Sequence, residues 1–425
     1  MSTTLDKIAI NNHSAFIWRI ADLLRGSYRA HQYGSTILPF VILRRLDCVL
    51  ASTKDAVLEK AKSAGKIPAA IALPRASGHS FYNTSSYDLG KLVGDPENVK
   101  ANLIDYINGF SDNVRDIFSE FDFEKQLAKL DDGNLLYLVT KEFATIDLHP
   151  SAVSNADMGA IFEELIRKFA EASNETAGEH FTPRDAVALV VALLLASDDE
   201  VLSKPGIVRS IYDPTAGTGG MLAVAEEHIK AFNPEATVVL AGQELNDESY
   251  AICKSDMVIK GYDVDAIAKG DTLVDDKHAG KTFDYCLSNP PYGVDWKRSE
   301  KAVRREAADP GMNGRFGPGL PSISDGQLLF LMHLISKMRP IKSGGGRVGI
   351  VLNGSALFTG AAGSGESEIR RHIIESDLLE AIVALPTDMF YNTDISTRRV
   401  WSWCGCGLSL AVSMPRPPRG AVGIR

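Results

Sequence analysis

Cysteine, long apolar runs and an excess of positive charge are what this chain lacks. It has five cysteines among 425 residues, and only Cys404 and Cys406 lie close together. A zinc site usually needs two such pairs, so no metal site is predicted. No run of about 18 apolar residues indicates a membrane span. The first residues lack the basic and apolar regions of a secretory signal, so we expect a cytoplasmic protein.

The charge balance is acidic, with 54 Asp and Glu against 45 Lys and Arg. This balance excludes a general nucleic-acid coat but leaves room for a local basic groove. Hydrophobic residues make up 45% of the chain and charged residues 23%, which are ordinary globular values. The length predicts two or three domains that need no disulfide or metal staples.

Residues 1–150 are predicted to form an N-terminal helical domain, because apolar residues recur at helical spacing. Within it, Tyr33–Ser35 should end a first helix. Residues 64–98, which are rich in Gly, Pro, Ser and Asn, should form an irregular connection. A further amphipathic helix is predicted around Met158, with Asn155 as its cap.

From about Asp185, helical and strand patterns alternate along the chain. This alternation predicts an α/β fold, a parallel sheet with helices on both faces, over residues 151–397. Ligands of such sheets bind at the carboxyl ends of the strands. Strands are predicted at 207–213, 237–243, 283–288, 348–353 and 379–385, and helices at 185–195, 221–232 and 325–338.

A glycine-rich loop, Asp213-Pro-Thr-Ala-Gly-Thr-Gly-Gly220, follows the first strand. Glycines permit a tight turn and a close approach to a ligand. The acid at the strand tip suits a positively charged nucleoside better than a pyrophosphate. The dinucleotide fingerprint is broken by Leu222, and no phosphate-loop Gly-Lys-Ser/Thr follows. A merely structural turn stays open for this loop alone.

Two more acids follow the next two strands. Glu244 ends the second strand and could bind two ribose hydroxyls, as acids do in dinucleotide folds. Asp271 follows the third strand and could meet the amino group of an adenine ring. Each alone could be a solvated loop acid, but three acids at three successive strand ends indicate a nucleoside site more strongly.

The most specific pattern is Ser288-Asn-Pro-Pro-Tyr292, directly after an apolar strand. The prolines fix the backbone and remove two donors, which leaves the carbonyl of Pro290 and the side-chain oxygen of Asn289 as rigid acceptors. Two acceptors can hold both hydrogens of a planar amino group, and Tyr292 offers a face on which a base can stack. The pattern predicts methylation of an exocyclic or amide nitrogen; the alternative is a proline turn with a buried tyrosine.

In combination, these motifs resemble the modification subunit of type I restriction-modification systems, an S-adenosylmethionine-dependent, adenine-specific DNA methyltransferase. The resemblance covers roughly residues 10–397. It implies a Rossmann-like methyltransferase sheet behind an N-terminal helical domain. The matching segments are the glycine loop, the Asn-Pro-Pro-Tyr motif, Gly178–Arg184, Tyr33–Asp47, Phe390–Thr393 and Ile395–Thr397.

The resemblance also implies roles for individual residues. The cofactor, S-adenosyl-L-methionine, would lie with its methionine end along Glu179, His180, Phe181 and Thr182. Its loop would be shaped by Asp213, Thr215, Gly217, Thr218 and Gly219, its ribose bound by Glu244, and its adenine by Asp271 and Leu273. The target adenine would be held by the catalytic residues Asn289, Pro290, Pro291 and Tyr292.

The partners implied are double-stranded DNA with a flipped adenine, a specificity subunit, a second modification subunit and, as a further candidate, a restriction subunit. The chain itself shows no target-recognition domain. Five basic residues after the catalytic motif could contact the DNA backbone, or could simply form a solvated helix face: Lys297, Arg298, Lys301, Arg304 and Arg305.

The last 28 residues, 398–425, differ in composition from the rest of the chain. They hold five Arg and no Lys or acidic residue, and two of the four Trp. We expect a truncated or frameshifted segment here, in which Arg398 and Arg399 interrupt the last, antiparallel strand. The loss would leave an unpaired edge and impair stability or assembly.

Three other functions stay open from the sequence. The Asn-Pro-Pro-Tyr motif would also serve an N-methyltransferase acting on protein glutamine or on RNA. The tail would suit an inactive remnant that only binds partners. A dinucleotide oxidoreductase is a distant alternative, because Leu222 breaks the fingerprint.

Overall fold

The computed structural model describes residues 16, 20–29, 32–63, 68–173, 182–196, 198, 202–260, 262, 266–309, 314–385, 398–404 and 410–412. The chain divides into two compact units. The first holds residues 1–177, 217–219 and 246–267, and the second holds 178–216, 220–245 and 268–425. The domain limits at 150 and 397 stay predictions. None of the described helices is both long and apolar enough to cross a membrane.

The first unit is built from helices around a central one, α1. Helix α1 is buried on all sides. Its seven successive apolar residues, Ile37–Leu43, leave it without a polar face, and such helices lie in the core. Its Phe40 ring lies 5.0 Å from that of Phe123 and 5.4 Å from that of Phe143. The helices are α1 Tyr33–Leu50, α2 Lys54–Lys62, α3 Ala69–Ser77, α4 Leu89–Val93, the 3-10 helix Pro96–Asn98, α5 Val99–Asn108, α6 Asp112–Glu120, α7 Phe123–Asp132, α8 Leu136–Thr145, α9 Asn155–Ser173 and α12 Asp247–Lys260.

Helix α12 belongs to this unit although its sequence follows the second strand of the sheet. Ala251, Ile252 and Val258 are buried in the same apolar core as α1 and α9. The core of the N-terminal helices is therefore completed by a segment about 100 residues further along the chain.

Two arginines of α1 bind the segment that leads into α9. Arg44 Nε donates to the carbonyl of Ile146 at 2.6 Å. Arg45 is almost fully buried and donates to the carbonyls of Leu148 and Val153 and to Asn155 Oδ1. These two arginines, which belong to the Tyr33–Asp47 segment noted in the sequence, thus form a structural clamp between α1 and the segment before α9.

The second unit is an eight-stranded sheet with helices. Its strand order is β3-β2-β1-β4-β5-β7-β6-β8. Strands β2, β1, β4 and β5 are parallel, and β7 is antiparallel to both β5 and β6. The strands are β1 Val208–Asp213, β2 Thr237–Glu244, β3 Ile267–Lys269, β4 Tyr285–Ser288, β5 Arg347–Asn353, β6 Leu379–Ala384, β7 Arg398–Cys404 and β8 Leu410–Val412.

The predicted α/β alternation is confirmed. Every strand and helix predicted between 185 and 385 is present within two residues of its expected ends. The strands were legible because β4 and β5 are buried along their whole length and so form continuous apolar runs. The helices of this unit are α10 Arg184–Leu195, α11 Gly220–Phe232, α13 Glu300–Ala308, α14 Gln327–Lys337, the 3-10 helix Ile341–Ser343, α15 Ser355–Phe358 and α16 Gly365–Glu375.

Three local predictions in the N-terminal half were wrong. Residues 64–98 contain the helices α3 and α4 rather than only an irregular connection, because buried Leu73, Leu89 and Leu92 pack into helices. Tyr33–Ser35 form the first turn of α1 rather than a break. The cap of α9 is Ser154, whose Oγ accepts from the N–H of Asp157 at 3.1 Å, while Asn155 binds Arg45.

The predicted interruption of the last antiparallel strand was also wrong. Arg398–Cys404 form β7, which pairs with β5 on one side and β6 on the other. Arg398 and Arg399 occupy the first two positions, opposite the end of β5, and Val400, Trp401 and Trp403 favour strand structure. The edge of β5 is therefore paired. The frameshifted origin of residues 398–425 stays a prediction from their composition.

Candidate functional site

The strand order reverses between β1 and β4, and a crevice at such a reversal is where open α/β sheets bind ligands. The two strand ends are joined by a hydrogen bond of 2.7 Å between Thr215 Oγ1 and Ser288 Oγ. The glycine loop and the Asn-Pro-Pro-Tyr motif, 70 residues apart in sequence, thus begin side by side. The sequence predicted this meeting from the carboxyl-end rule.

Asp213, at the tip of β1, is buried and shapes the loop from within. Its Oδ1 accepts from the backbone N–H of Thr215 at 2.9 Å and from Thr215 Oγ1 at 3.3 Å. Burial, reinforced by the nearby charge of Glu244, raises the pKa of Asp213 to about 7. No cation is among the groups that shift this pKa. The binding of a positively charged ligand beside Asp213 would therefore stabilise its ionised carboxylate.

Two glycines of the loop have conformations that other residues rarely adopt. Gly217 has φ +54° and Gly219 has φ +87°. A Cβ at position 219 would lie 3.0 Å from Cys253 Sγ, which is closer than ordinary packing permits. Glycine is therefore required at 219 on both conformational and steric grounds. Thr218 lies between them and is half-buried.

The loops after β1, β2 and β3 are held together by hydrogen bonds to backbone carbonyls. Gly270 N–H donates to the carbonyl of Glu244 at 2.9 Å, and Thr272 Oγ1 donates to the carbonyl of Pro214 at 2.7 Å. Asp271 Oδ1 accepts from the N–H of Leu273 at 2.8 Å. The three predicted acids thus lie on three loops that are bonded into one surface.

Two residues that support this surface were missed by sequence reasoning. Ser299 Oγ donates to Asp271 Oδ2 at 2.7 Å. Arg315 donates to the carbonyls of Thr272 and Leu273, at 2.6 and 3.2 Å, and also binds Glu306. Neither belongs to a motif, and Arg315 is a single arginine in a glycine-rich stretch. Together they connect α13 to the loop after β3.

The Asn-Pro-Pro-Tyr motif forms the other side of the crevice. Asn289 Nδ2 donates to Thr182 Oγ1 at 2.6 Å, and Asn289 Oδ1 accepts from the hydroxyl of Tyr292. Pro290 is buried, whereas Pro291 and Tyr292 are half-buried. The amide of Asn289 is therefore oriented, with its oxygen on the side of Tyr292.

Thr182, Pro183 and Arg184 are the part of the Gly178–Arg184 motif that the structure describes, and Thr182 Oγ1 accepts from Asn289 Nδ2. Glu179, His180 and Phe181 lie outside the described residues, as do Phe390–Thr393 and Ile395–Thr397. Their roles stay predictions.

The basic residues after the motif are exposed. Lys297 pairs with Asp295, and Arg304 pairs with Glu300 and lies over Trp296. Val303 is buried and anchors α13. The exposed basic side chains are those of Lys297, Arg298, Lys301, Arg304 and Arg305.

Comparison with known proteins places both parts of the chain. Residues 153–401 match the model of the N-6 DNA Methylase family, and residues 13–143 match that of the HsdM N-terminal domain. The MjaIX methylase subunit of a type I restriction enzyme from Methanocaldococcus jannaschii is 26% identical over 89% of this chain and 67% of its own length. The HindI methylase subunit from Haemophilus influenzae is 30% identical over 56% of this chain and 49% of its own length.

Among solved structures, the methyltransferase subunit of a type I restriction-modification system from Streptococcus thermophilus has a TM-score of 0.71 at 24% identity, over 93% of this chain and 84% of that one. It shares the fold. This chain spans two thirds of the length of the first relative and about half of the second. The family model covers more than half of the chain, including the crevice, and the chain therefore belongs to the N-6 DNA methylase family.

Proposed function

We propose that this chain transfers the methyl group of S-adenosyl-L-methionine to the N6 amino group of adenine in DNA, as the modification subunit of a type I restriction-modification complex. The observation that carries the proposal is the oriented amide of Asn289 beside the acidic loops at the strand-order reversal. Its oxygen and the carbonyl of Pro290 are acceptors for an amino group, and family membership supports the chemistry.

The residues of the crevice fit this cofactor. Its sulfur carries a positive charge, which suits the buried, uncompensated carboxyl of Asp213. Its ribose has two hydroxyls for Glu244, and its adenine would lie against Asp271 and Leu273 on the loop that Arg315 supports. Gly217 and Gly219 leave the backbone of the loop accessible. Glu179, His180 and Phe181 are proposed for the methionine end.

Bound there, the cofactor would supply an electrophilic methyl group. The protein then has to hold the adenine amino nitrogen in line with it, with both N–H groups engaged by Asn289 Oδ1 and the Pro290 carbonyl. Such positioning, together with local dipoles, supplies the rate. The hydroxyl of Tyr292 now occupies Asn289 Oδ1, so Tyr292 has to release this oxygen when the amino group arrives.

An adenine inside a duplex is stacked and paired, so it must be flipped out at a cost of a few kcal/mol. Stacking on Tyr292 would offset about 1–3 kcal/mol of this cost. The exposed basic side chains after the motif are proposed to contact DNA phosphates, which would make binding weaken as salt rises.

We also propose the partners that the family resemblance implies: a specificity subunit, a second modification subunit and, as a further candidate, a restriction subunit. The relatives are methylase subunits of type I restriction enzymes. A DNA substrate inside the cell would place the complex in the cytoplasm.

The substrate class can be tested by the distribution of label. Tritiated S-adenosylmethionine is incubated with the chain, its specificity subunit, and DNA, RNA and protein together. The proposal predicts label in DNA. Label confined to protein or RNA would favour the alternative N-methyltransferases, and no transfer despite cofactor binding would favour an inactive remnant.

The raised pKa of Asp213 predicts how stability changes with pH. Its folded pKa of about 7 exceeds the ordinary 3.8, so the stability it contributes is complete below about pH 4 and is lost as pH rises through 7. Asp213→Asn keeps an oxygen for the Thr215 N–H but cannot ionise. Without cofactor, urea denaturation should therefore show this variant a few kcal/mol more stable than wild type at pH 8, and equal to it at pH 4. Equal stability at pH 8 would contradict the assignment.

We expect the target adenine to stack on the aromatic ring of Tyr292, and we expect the hydroxyl of Tyr292 to contribute little to methyl transfer. Tyr292→Phe keeps the ring and removes the hydroxyl that donates to Asn289, so methyl transfer should stay close to wild type. Tyr292→Ala removes the stacking surface and should lower kcat/KM about 5- to 150-fold, equivalent to about 1–3 kcal/mol. Steady-state kinetics on one oligonucleotide compares the two variants. A phenylalanine variant as impaired as the alanine variant would assign the role to the hydroxyl.

A further inference from the structure

The end of β5 carries a buried asparagine whose side-chain oxygen is fully engaged. Asn353 is 5% exposed. Its Oδ1 accepts from the backbone N–H of Ser355 at 2.9 Å, from Gln327 Nε2 at 2.7 Å and from the hydroxyl of Ser355. Its own backbone N–H donates to Gln327 Oε1 at 2.9 Å. These bonds fix both the position and the orientation of the amide.

Within the described part of the chain, the nitrogen of the same amide makes no hydrogen bond that would stabilise the fold. Asn353 Nδ2, which carries two N–H donors, finds no hydrogen-bond acceptor among the described residues. The nitrogen is not one of the described side-chain atoms that are both shut off from solvent and unpaired, so it remains accessible to a ligand. The three bonds use only the oxygen of the amide, so they leave its nitrogen available. The orphan donor indicates a ligand with an acceptor atom.

The position of Asn353 identifies the neighbouring site. Strand β5 pairs with β4, and Ser288 lies opposite Ile350. Asn353 therefore stands three residues beyond this pair, about 10 Å along the strand, at the same edge from which the Asn289–Tyr292 motif leaves the sheet.

The carboxylate of Asp325, which is bonded to the same cluster, favours a neutral acceptor over an anion. Asp325 Oδ2 accepts from Gln327 Nε2 at 2.7 Å, so a carboxylate is bonded to the same cluster. A phosphate oxygen placed beside it would be repelled. A ring nitrogen of a base accepts a hydrogen bond without carrying a charge.

We propose that Asn353 is a further residue of the target-nucleotide site, whose Nδ2 donates a hydrogen bond to a ring nitrogen of the flipped adenine. The proposal rests on the proposed function. Gln327 and Ser355 are positioning residues, because they hold the amide so that its nitrogen faces away from the bonds they make.

The test uses the complex with its specificity subunit. Asn353→Asp keeps the accepting oxygens and removes the donor, and Asn353→Ser is a second, uncharged variant. Both should bind S-adenosylmethionine within about threefold of wild type and lose about tenfold in kcat/KM on DNA. A matched control is Asn233→Asp, because Asn233 Nδ2 donates to the carbonyls of Leu202 and Lys204, so losing it should lower Tm. Asn353→Ser also removes the oxygen that accepts from Ser355 and Gln327, so its Tm should fall, and cofactor binding is the check that its site remains folded.

Oligonucleotides with 1-, 3- or 7-deazaadenine at the target position distinguish the base from the backbone. Wild type should lose activity on the analogue that lacks the contacted nitrogen, and the Asn353 variants should lose nothing further on it. Equal additional losses on all three analogues would point to a phosphodiester oxygen and overturn the proposal, as would unchanged kcat/KM on native DNA. Failure of wild type itself to methylate DNA would instead overturn the proposed function.

Discussion

Replacing Asn289 by alanine is expected to lower kcat for adenine methylation about 100- to 1,000-fold, the usual cost of losing one oriented polar group that acts in a transition state. The oxygen of Asn289 is fixed by the bond from its Nδ2 to Thr182 Oγ1 at 2.6 Å. The loss should fall on kcat, because the amino group gains most from this acceptor as its nitrogen attacks. Cofactor affinity should change less than about threefold, since the cofactor loops are bonded to each other without Asn289.

Two controls separate this effect from damage to the fold. Asn289→Asp keeps an acceptor oxygen but loses the bond donated to Thr182, so its activity should lie between wild type and the alanine variant. Single-turnover rates, with enzyme and cofactor in excess over DNA, measure the chemical step directly. A single-turnover rate for Asn289→Ala within fivefold of wild type would contradict the assigned role.

Replacing Arg45 by methionine is expected to destabilise the first unit by about 3–5 kcal/mol, because three buried acceptors lose hydrogen bonds to a charged donor, each worth about 1.5–3 kcal/mol before the structure relaxes. Arg45 is 1% exposed, and its guanidinium satisfies Leu148 O, Val153 O at 2.7 Å and Asn155 Oδ1 at 2.5 Å. Methionine fills similar space but leaves three acceptors unpaired. Burial lowers the pKa of Arg45 to about 10, so the wild-type residue remains charged at neutral pH.

The matched control is Arg25→Met, because Arg25 makes an exposed pair with Asp22 at 2.6 Å and its side chain is 73% exposed. Its removal should change the free energy of unfolding by about 0.5 kcal/mol or less. Urea denaturation followed by circular dichroism compares both variants with wild type. If Arg45→Met and Arg25→Met unfolded at the same urea concentration, the clamp between α1 and the segment before α9 would not contribute to stability.

Local patterns explain what could be predicted from the sequence. Strands β4 and β5 were found because burial on both faces leaves continuous apolar runs. The meeting of Asp213 with the Asn289 motif followed from the rule that parallel strands end at one edge. The two prolines after Asn289 made it a candidate catalytic residue, because proline constrains the backbone in any fold.

What could not be predicted depends on contacts between distant residues. Arg315 reaches the carbonyl of Leu273, 42 residues away, and Gln327 reaches Asn353, 26 residues away. No spacing within either segment indicates these partners. No pattern in the sequence indicated that Ile252 and Val258 of α12 are buried with the N-terminal helices. The composition of residues 398–404 led to the wrong prediction that the last antiparallel strand is interrupted. Strand pairing uses backbone groups, which composition does not reveal.

The central claim is that the crevice methylates the amino group of adenine. The most direct measurement is mass spectrometry of nucleosides from DNA treated with S-adenosylmethionine and the complex of this chain with its specificity subunit. The account predicts N6-methyl-2′-deoxyadenosine with wild type and its near absence with Asn289→Ala. Methylated cytosine in place of methylated adenine, or equal yields from wild type and Asn289→Ala, would contradict it.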